Sequence, residues 1–468
     1  MATSRVRTRV ERDTLGTLRV PARAMYGAQT ARALANFPIS GLAPHPAFVE
    51  ATVRIKIAAA RASARLGLLP RRKARAIEGA AREVLAGRWR GEFAVDVYQA
   101  GAGTSHHMNV NEVLANRACE LLGGRRGDRA LVDPNDDVNM AQSTNDVVPT
   151  AMRLAALALG PAATGAVAGL AATFERKARD WDGIVKAGRT HLMDATPIRL
   201  GQEVSGWAAA LRAAAARVEG SLRELREIGL GGTAVGTGLN AHPRFARLAL
   251  AELRLLTGAP LRLAPNGFYA MQSLAPFAAL SASLRVTALE LLRIGGDIRL
   301  LGSGPATGLG ELRLPAVQPG SSIMPGKVNP SMAEMLAMVC HQLVGLDAAI
   351  GSATAAGQLE LNVMMPLVAW DLCHALQILA NGVRAFDERC ARGLEPDAER
   401  ARAHAERTVS LATALAPRIG YARAAEIVKA SLRTGRSIAD LAAEMAGLSP
   451  EEARRILDPL RLTRPGRA

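Results

Sequence analysis

Residues 331–348 read SMAEMLAMVCHQLVGLDA, and the fold class can be argued outward from them. The run consists of strong helix formers, and its apolar side chains cover more than one stripe of a helix, so it must be buried on several sides. The run of helix formers extends to residue 356, and similar alanine- and leucine-rich runs occupy residues 151–180, 201–228, 273–301 and 361–386. Five such runs predict an all-α protein built around a long helical bundle, with several copies associating through their apolar faces.

The length of 468 residues suits two or three domains. The chain is turn-rich at its start and then carries amphipathic patterns near residues 50–87 and 107–123, ahead of the bundle runs. A shorter helical segment follows the bundle runs. The patterns alone leave both two and three domains open.

Composition narrows the classes of function. With 49% hydrophobic and 21% charged residues the chain is typical of a globular protein. The formal charge of +16 is spread along helices, and aromatic residues amount to 3%, which favours an anion-attracting field over nucleic-acid binding. Four cysteines without regular spacing, and a start without a signal peptide, predict a soluble cytoplasmic protein that binds neither membrane nor nucleic acid. The eight histidines and four cysteines show no ligand pattern, so we expect no metal and no other cofactor.

A different kind of sequence lies just before the first run. Residues 319–330 read PGSSIMPGKVNP, and Lys327 stands out because six of the 58 basic residues are lysine. A compact ammonium suits a single carboxylate, whereas a guanidinium is a wide, fixed fork. A rigid connector would explain the glycines and prolines, but not the combination of Ser321, Ser322, Lys327 and Asn329.

Three further breaks between helical runs are rich in hydrogen-bonding side chains: GAGTSHHMN at 101–109, DPNDDVNMAQSTND at 133–146 and GRTHLMDATP at 188–197. The glycines of the first break allow close backbone approach, and Thr104 or Ser105 can cap the helix that follows. The second break ends in three consecutive polar residues that can form a carboxylate-binding nest, although capping alone explains two of them. The third places a histidine in a turn between helices, where a structural role is the common alternative.

In this order, these stretches resemble the active-site segments of the fumarase/aspartase superfamily, in the branch of class II fumarases and aspartate ammonia-lyases. GSSIMPGKVNP resembles the signature loop, and GAGTS, QSTND, GRTHLMDATP and LGGTAVGTGLN resemble the other site segments. The likeness extends from RDTLGTLRVPARAMYGAQT near the start to IGYARAAEIVKASLRTG near the end. Five ordered motifs make a chance match improbable.

The resemblance implies a homotetramer that acts on a small dicarboxylate, with each active site assembled from three subunits. Each helical subunit would have three domains, which we place at residues 1–140, 141–395 and 396–468. It implies a base that removes the proton beside a carboxylate, and stabilisation of the extra negative charge that develops there. By resemblance the base is Ser321, and His191 is a second catalytic residue that works with Glu334. The substrate carboxylates are expected to contact Thr104, Ser143, Thr144, Asn145, Thr190, Ser322, Lys327 and Asn329.

The leaving group separates the two reactions of this branch. Ala102 and Thr144 lie in substrate-contact segments and resemble the aspartase pattern, so the sequence favours L-aspartate as substrate, with fumarate and ammonia as products. A class II fumarase acting on L-malate is the alternative, and a non-catalytic basic scaffold or nucleic-acid-binding protein is a remote one. His107 departs from the asparagine usual in the family. Asp133 replaces the histidine of its peripheral anion site, so anion binding there is not expected.

Overall fold

A computed structural model describes residues 7–466 of the chain. The structure is 63% helical, which confirms the all-α fold class. The helices are α1 Ala28–Asn36, α2 Pro46–Arg65, α3 Arg71–Leu85, α4 Thr104–Leu121, α5 Thr144–Asp180, α6 Leu200–Glu224, α7 Phe245–Thr257, α8 Gly267–Gln272, α9 Ala275–Leu301, α10 Ser331–Ala355, α11 Met365–Arg389, α12 Ala398–Arg407, α13 Ala416–Ile419, α14 Tyr421–Thr434, α15 Ile438–Ala446 and α16 Pro450–Ile456.

Short strands form four two-stranded sheets. The strands are β1 Thr8–Asp13, β2 Gly16–Pro21, β3 Val185–Thr190, β4 Met193–Arg199, β5 Glu227–Ile228, β6 Arg262–Leu263, β7 Leu312–Arg313 and β8 Glu395–Pro396. The pairs β1–β2, β3–β4 and β7–β8 are antiparallel, and β5–β6 is parallel. The β3–β4 hairpin carries one of the predicted site segments.

The five apolar runs are the five longest helices, α5, α6, α9, α10 and α11. The amphipathic pattern at residues 50–87 belongs to two helices, because Pro70 interrupts it and stands at the N-cap of α3. Proline disfavours helical geometry in the preceding residue and fits the start of a helix. At this position a proline marks a helix boundary that hydrophobic periodicity does not reveal.

Contacts divide the chain into two compact units. The first contains the described residues up to 164, with 216–286 and 341–380; the second contains 165–215, 287–340 and the described residues from 381 onward. In the first unit, α2, α3 and α4 pack around a core that includes Val53, Ile77 and Leu114. In the second, a smaller core at the C-terminal end includes Leu411, Ile427, Leu441 and Ile456. The three-domain division remains a prediction.

Polar contacts join the long helices within the first unit. Ser221 on α6 and Ser283 on α9 lie 2.8 Å apart at their hydroxyl oxygens. The hydroxyl of Ser281 donates to Asp347 on α10 at 2.7 Å, and Arg285 donates to the same carboxylate at 2.6 Å. Each of these contacts fixes the rotation of one helix against the next.

Three of these long helices are unusually apolar. By length and composition alone α5, α9 and α10 could cross a membrane. In the single chain 44% of the most apolar window is buried in α5 and in α9, but only 28% in α10. Most residues in this window of α10 are thus not fully buried within the chain, in line with the apolar pattern at residues 331–348.

Candidate active site

The N-terminus of α4 is shaped by residues with positive φ. Gly101, Ala102 and Gly103 have φ of 70°, 55° and 98°. A Cβ on Gly103 would lie 3.1 Å from Val148, so glycine suits both the conformation and the space. The helix begins at Thr104 with Gly103 as its N-cap and without a side-chain cap, so the expected capping by Thr104 or Ser105 is wrong. Thr104 Oγ1 instead donates to the Gly101 carbonyl at 2.7 Å.

Asp146 organises the loop before α5 and the segment at 229–240. Its Oδ1 accepts from the backbone N–H of Ser143 at 2.9 Å, and its Oδ2 accepts from those of Gly231 and Thr233 at 2.9 Å and 3.1 Å. Burial raises the pKa of Asp146 to about 6, against the opposing effect of these three donors. Two segments of the sequence resemblance are joined through this carboxylate.

The predicted residues of the first unit lie together at this junction. Thr104 Oγ1 and Thr144 Oγ1 are 3.1 Å apart. Asn145 Nδ2 donates to the carbonyl of Ala234 at 2.7 Å, and Ser143 Oγ accepts from the backbone N–H of Asn145 at 3.2 Å. Thr104, Ser143, Thr144 and Asn145 are all partly exposed. Their hydroxyl and amide groups form a polar surface that an anion can reach.

A buried lysine supports this surface from behind. Lys56 Nζ lies 2.5 Å from Nε2 of His107, 2.9 Å from Oδ1 of Asn139 and 2.9 Å from Oε1 of Gln142. The other ring nitrogen of His107, Nδ1, lies 2.9 Å from Thr144 Oγ1. Lys56 and His107 are 0% and 1% exposed. Sequence reasoning missed Lys56, although the scarcity of lysine that marked Lys327 applies equally to it.

In the second unit, Thr190 and His191 occupy the β3–β4 hairpin. The expectation of a turn between helices is wrong, because Thr190 pairs with Met193 across a two-residue loop between strands. His191 and Leu192 have φ of 55° and 63°, the conformation of a type I′ turn. Such a turn usually contains asparagine or glycine, so a histidine here is held in a strained conformation and projects into solvent.

A buried ion network holds this hairpin. Arg189 donates to both oxygens of Glu311 at 2.7 Å and 3.1 Å, and Lys186 Nζ lies 3.3 Å from the same carboxylate. Nδ1 of His404 on α12 is 2.8 Å from Glu311 Oε1. Glu311 is 0% exposed and Lys186 is 1% exposed. The charged residues just before Thr190 therefore fix the base of the turn.

The signature loop at 319–330 is also in the second unit. Ser321 Oγ accepts from the backbone N–H groups of Ile323 at 3.2 Å and Met324 at 2.9 Å. Two donors aimed at one hydroxyl oxygen stabilise negative charge on it. Asn329 Nδ2 donates to the carbonyl of Gly320 at 2.6 Å, which closes the loop. A Cβ on Gly320 would lie 2.3 Å from the Lys327 carbonyl, so this closure requires glycine.

A cavity of about 790 Å³ opens beside this loop. Lys327 and Asn329 line it, together with Arg299, Arg313 and Arg400. Arg400 is fixed by the carbonyls of Pro305 and Gly308, and Arg313 by Asp397 at 3.1 Å. Ser322 and Lys327 are exposed on the loop. The concentration of positive charge favours a small anion.

The predicted site residues thus form two groups, one in each unit. Thr104, Ser143, Thr144 and Asn145 belong to the first unit; Thr190, His191, Ser321, Ser322, Lys327, Asn329 and Glu334 belong to the second. Within residues 7–466 no hydrogen bond joins His191 to Glu334, which is exposed in the first turn of α10. The site roles of these residues, and their convergence on one substrate, remain predictions.

Two polar side chains of α4, Glu112 and Asn116, have structural roles. Glu112 accepts from the backbone N–H groups of Gly27, Gln29 and Thr30 at the start of α1. Asn116 Nδ2 donates to the backbone carbonyl of Met25 at 2.7 Å.

Among the described residues, no group of three or more His, Cys, Asp or Glu side chains is arranged to hold a metal ion.

Two family models match the chain. The model described as "Lyase" matches residues 16–345, and the one described as "Fumarase C C-terminus" matches residues 411–464. The crystal structure of a class II fumarase from Schistosoma mansoni has a TM-score of 0.94 with this chain at 37% identity, covering 98% of this chain and 99% of that one. Sequence and fold therefore agree over nearly the full length.

The two expected reactions can be compared through the names and identities of individual relatives. A class II fumarate hydratase from Ralstonia nicotianae is 48% identical over 446 residues, 95% of this chain and 97% of that protein. Six further relatives of that name are 46–48% identical. An aspartate ammonia-lyase from Bacillus subtilis is 43% identical over 458 residues, 98% of this chain and 96% of that protein.

The preference for an aspartate ammonia-lyase is therefore wrong. It rested chiefly on Ala102 and Thr144, and the structure explains why these two residues misled. The Ala102 side chain is 0% exposed, so it packs beneath the loop where it has no access to a leaving group. Thr144 presents a hydroxyl bonded to its neighbours, and either reaction could use it to hold a carboxylate.

Proposed function

This chain belongs to the lyase family of class II fumarases and aspartate ammonia-lyases, and we propose that it is a fumarate hydratase that interconverts L-malate with fumarate and water. Similarity to class II fumarases at 46–48% identity, over nearly the whole chain in the Ralstonia relative, supports the choice of reaction. The observation that carries the chemistry is the pair of backbone N–H groups on Ser321 Oγ.

Ser321 is the base in this proposal. The carbon-bound proton next to a carboxylate of L-malate moves to the Ser321 oxyanion, and electron density flows onto that carboxylate. The donors from Ile323 and Met324 stabilise the oxyanion before the transfer. Lys327 and Asn329, which line the adjoining cavity, then stabilise the doubly charged carboxylate that forms.

Loss of water completes the elimination. The C–O bond breaks, the hydroxyl group takes up a proton, and water leaves together with fumarate. We assign the donation of this proton to His191, which is exposed and fixed at the tip of the hairpin. Glu334 remains its proposed partner, supplied from another copy of the chain, and Thr190 and Ser322 complete the contacts of the second unit.

The second substrate carboxylate is assigned to the first-unit group. Thr104, Ser143, Thr144 and Asn145 offer neutral donors there and leave the charged contact to Lys327. A dicarboxylate recognised at both ends is held in one orientation, which lowers the entropic barrier of the reaction.

We further propose a soluble cytoplasmic homotetramer in which copies of the chain bring the two groups together. The uncovered apolar surface of α10, where Met338 is 61% exposed, supports burial against other copies. Light scattering of the purified protein should give four times the mass of the 49.2 kDa chain. A monomer with full activity would remove this part of the proposal.

The reaction is tested by incubating purified protein with L-malate or with L-aspartate and following fumarate by its ultraviolet absorbance. We expect fumarate from L-malate and no fumarate or ammonia from L-aspartate. Turnover of L-aspartate alone would overturn the proposal. Hydration of fumarate, detected as L-malate by NMR, checks the reverse direction.

A further inference from the structure

The buried pair of Lys56 and His107 lies behind the first-unit group and contacts it at Thr144 Oγ1, without being exposed on the surface that the substrate is proposed to reach. The hydrogen bonds of this pair determine which atom donates and which accepts along the hydrogen-bond series from Lys56 through His107 to Thr144. We propose that Lys56 and His107 are positioning residues that make the Thr144 hydroxyl a donor toward the substrate carboxylate, and that loss of one proton from the pair reverses this direction. The proposal rests on the proposed function for its substrate.

The donor and acceptor inventory sets the direction at Lys56. The amide oxygens of Asn139 and Gln142 face Nζ, because the Nε2 group of Gln142 donates to the carbonyls of Val138 and Met140, and Asn139 Nδ2 donates to the carbonyl of Gln142. An ammonium has three donors and no acceptor. With two donated to the amides, the third goes to Nε2 of His107, which must therefore be unprotonated.

The direction then passes to Thr144. A neutral imidazole with an accepting Nε2 carries its proton on Nδ1, and Nδ1 is 2.9 Å from Thr144 Oγ1. Thr144 therefore accepts from His107. Thr104 is the nearest other hydroxyl, and its proton goes to the Gly101 carbonyl at 2.7 Å. The Thr144 O–H can donate to Thr104 Oγ1 at 3.1 Å or turn to an anion, and a buried positive charge two hydrogen bonds behind strengthens its donation to the anion.

Loss of one proton from the pair reverses the two hydrogen bonds made by His107. A neutral amine retains two donors for Asn139 and Gln142 and gains a lone pair, which accepts from His107 Nε2–H. Nδ1 then accepts from Thr144, whose proton is no longer available to the substrate. Substrate affinity should consequently weaken as pH rises, while the substrate itself stays a dianion throughout because carboxylates titrate near pH 4.

The surroundings of Lys56 and His107 favour the loss of a proton from this pair. Burial lowers the pKa of Lys56 well below its usual range, and Asp146 opposes that shift. Burial, Lys56 and His106 lower the pKa of His107. Among the other charged groups on elements packed against α2, Asp137 pairs with Lys73, Glu78 with Arg61 and Arg82, and Glu252 with Arg61 and Arg65.

The neighbouring residue His106 is an internal control. Thr52 donates its hydroxyl proton to the Phe48 carbonyl at 2.9 Å, so it accepts from His106 Nε2 at 3.0 Å. His106 is 0% exposed on the same helix, with the opposite tautomer. Solid-state NMR of ¹⁵N-histidine-labelled full-length protein should show an Nδ1–H tautomer that disappears in His107→Asn, and an Nε2–H tautomer that disappears in His106→Asn. An Nε2–H tautomer for His107 at neutral pH would overturn the proposal even if no variant folds.

The functional arm measures KM for L-malate and the affinity for fumarate, by calorimetry, against pH. As the wild-type pair deprotonates, we expect KM for L-malate to rise about tenfold and the affinity for fumarate to fall about tenfold, with kcat changing less. Lys56→Met and His107→Asn should abolish this pH dependence, Thr144→Ser should retain it, and His106→Asn should leave it unchanged. An unaltered pH profile in His107→Asn would overturn the proposal.

The two arms separate this proposal from the proposed function. If the wild type does not hydrate fumarate, the proposed function fails, whereas the tautomer and the pH dependence of fumarate binding still decide the role of the pair. Absence of pH-dependent dicarboxylate affinity would overturn that role.

Discussion

Arg189 donates two hydrogen bonds to the fully buried carboxylate of Glu311, at 2.7 Å and 3.1 Å. This pair lies one residue before the hairpin turn that carries Thr190 and His191. The geometry of an exposed, strained turn is therefore set by charges in the interior. The cost of holding the turn is offset by contacts that solvent does not reach.

Replacement of Glu311 should destabilise the protein strongly. In Glu311→Gln the charge of Arg189 loses its buried partner and Lys186 retains only Glu203, and breaking such a buried pair costs about 3–5 kcal/mol. Urea denaturation followed by circular dichroism measures the apparent loss. The control is Glu175→Gln, because Glu175 accepts from Arg212 at 2.6 Å in a pair whose side chains are 37% and 47% exposed. The control should lose about 0–1 kcal/mol, and equal losses would contradict burial as the cause.

Removing the Ser321 hydroxyl should remove activity without unfolding the protein. Ser321→Ala deletes the proposed base, and we expect the turnover of L-malate to fall by about 10³-fold or more. The loop hydrogen bond from Asn329 remains in the variant, so circular dichroism and light scattering should match the wild type. Ser331→Ala, at the start of α10, should retain near wild-type turnover. An active Ser321→Ala variant would assign the base elsewhere.

Much of the fold could be predicted from residue type and periodicity. The five long helices begin and end close to the predicted runs, because alanine and leucine favour helix; α5 runs from Thr144 to Asp180 although it contains Pro149 and Pro161. The β3–β4 hairpin was not predicted. Its turn residues, His191 and Leu192, lack the asparagine–glycine signal of a type I′ turn, and the buried Glu311 network imposes the conformation from outside the local sequence.

The site was predictable in part for a similar reason. Motifs identified the surface residues, but the support behind them depends on tertiary contacts that a sequence does not display. The scarcity of lysine, which singled out Lys327, could also have singled out Lys56 and Lys186. Both are among the six lysines, and both are buried in polar networks. A compact ammonium with three donors fits where a planar fork does not.

That difference gives a test at Lys327. Lys327→Arg keeps the charge but changes its shape, and we expect kcat/KM for L-malate to fall at least about tenfold. Lys429→Arg, at an exposed position of α14, is the matched control and should leave kcat/KM unchanged. Full activity in Lys327→Arg would mean that charge alone suffices at this position.

The two aspartates Asp146 and Asp13 should shift stability with pH in opposite directions. Burial raises the pKa of Asp146 to about 6, so its stabilising contribution is complete below about pH 4 and is lost as pH rises through about 6. The hydrogen bonds from Arg32 lower the pKa of Asp13, so its contribution is present at neutral pH and is lost as pH falls below about 4.

Asparagine cannot titrate, so each contribution appears as the free energy of unfolding of the wild type minus that of the variant. From about pH 4 to about pH 7 this difference should fall by about 2–3 kcal/mol for Asp146→Asn. From about pH 3 to about pH 7 it should rise for Asp13→Asn. Urea titrations at each pH measure both, and the same sign for the two variants would contradict burial as the origin of the Asp146 shift.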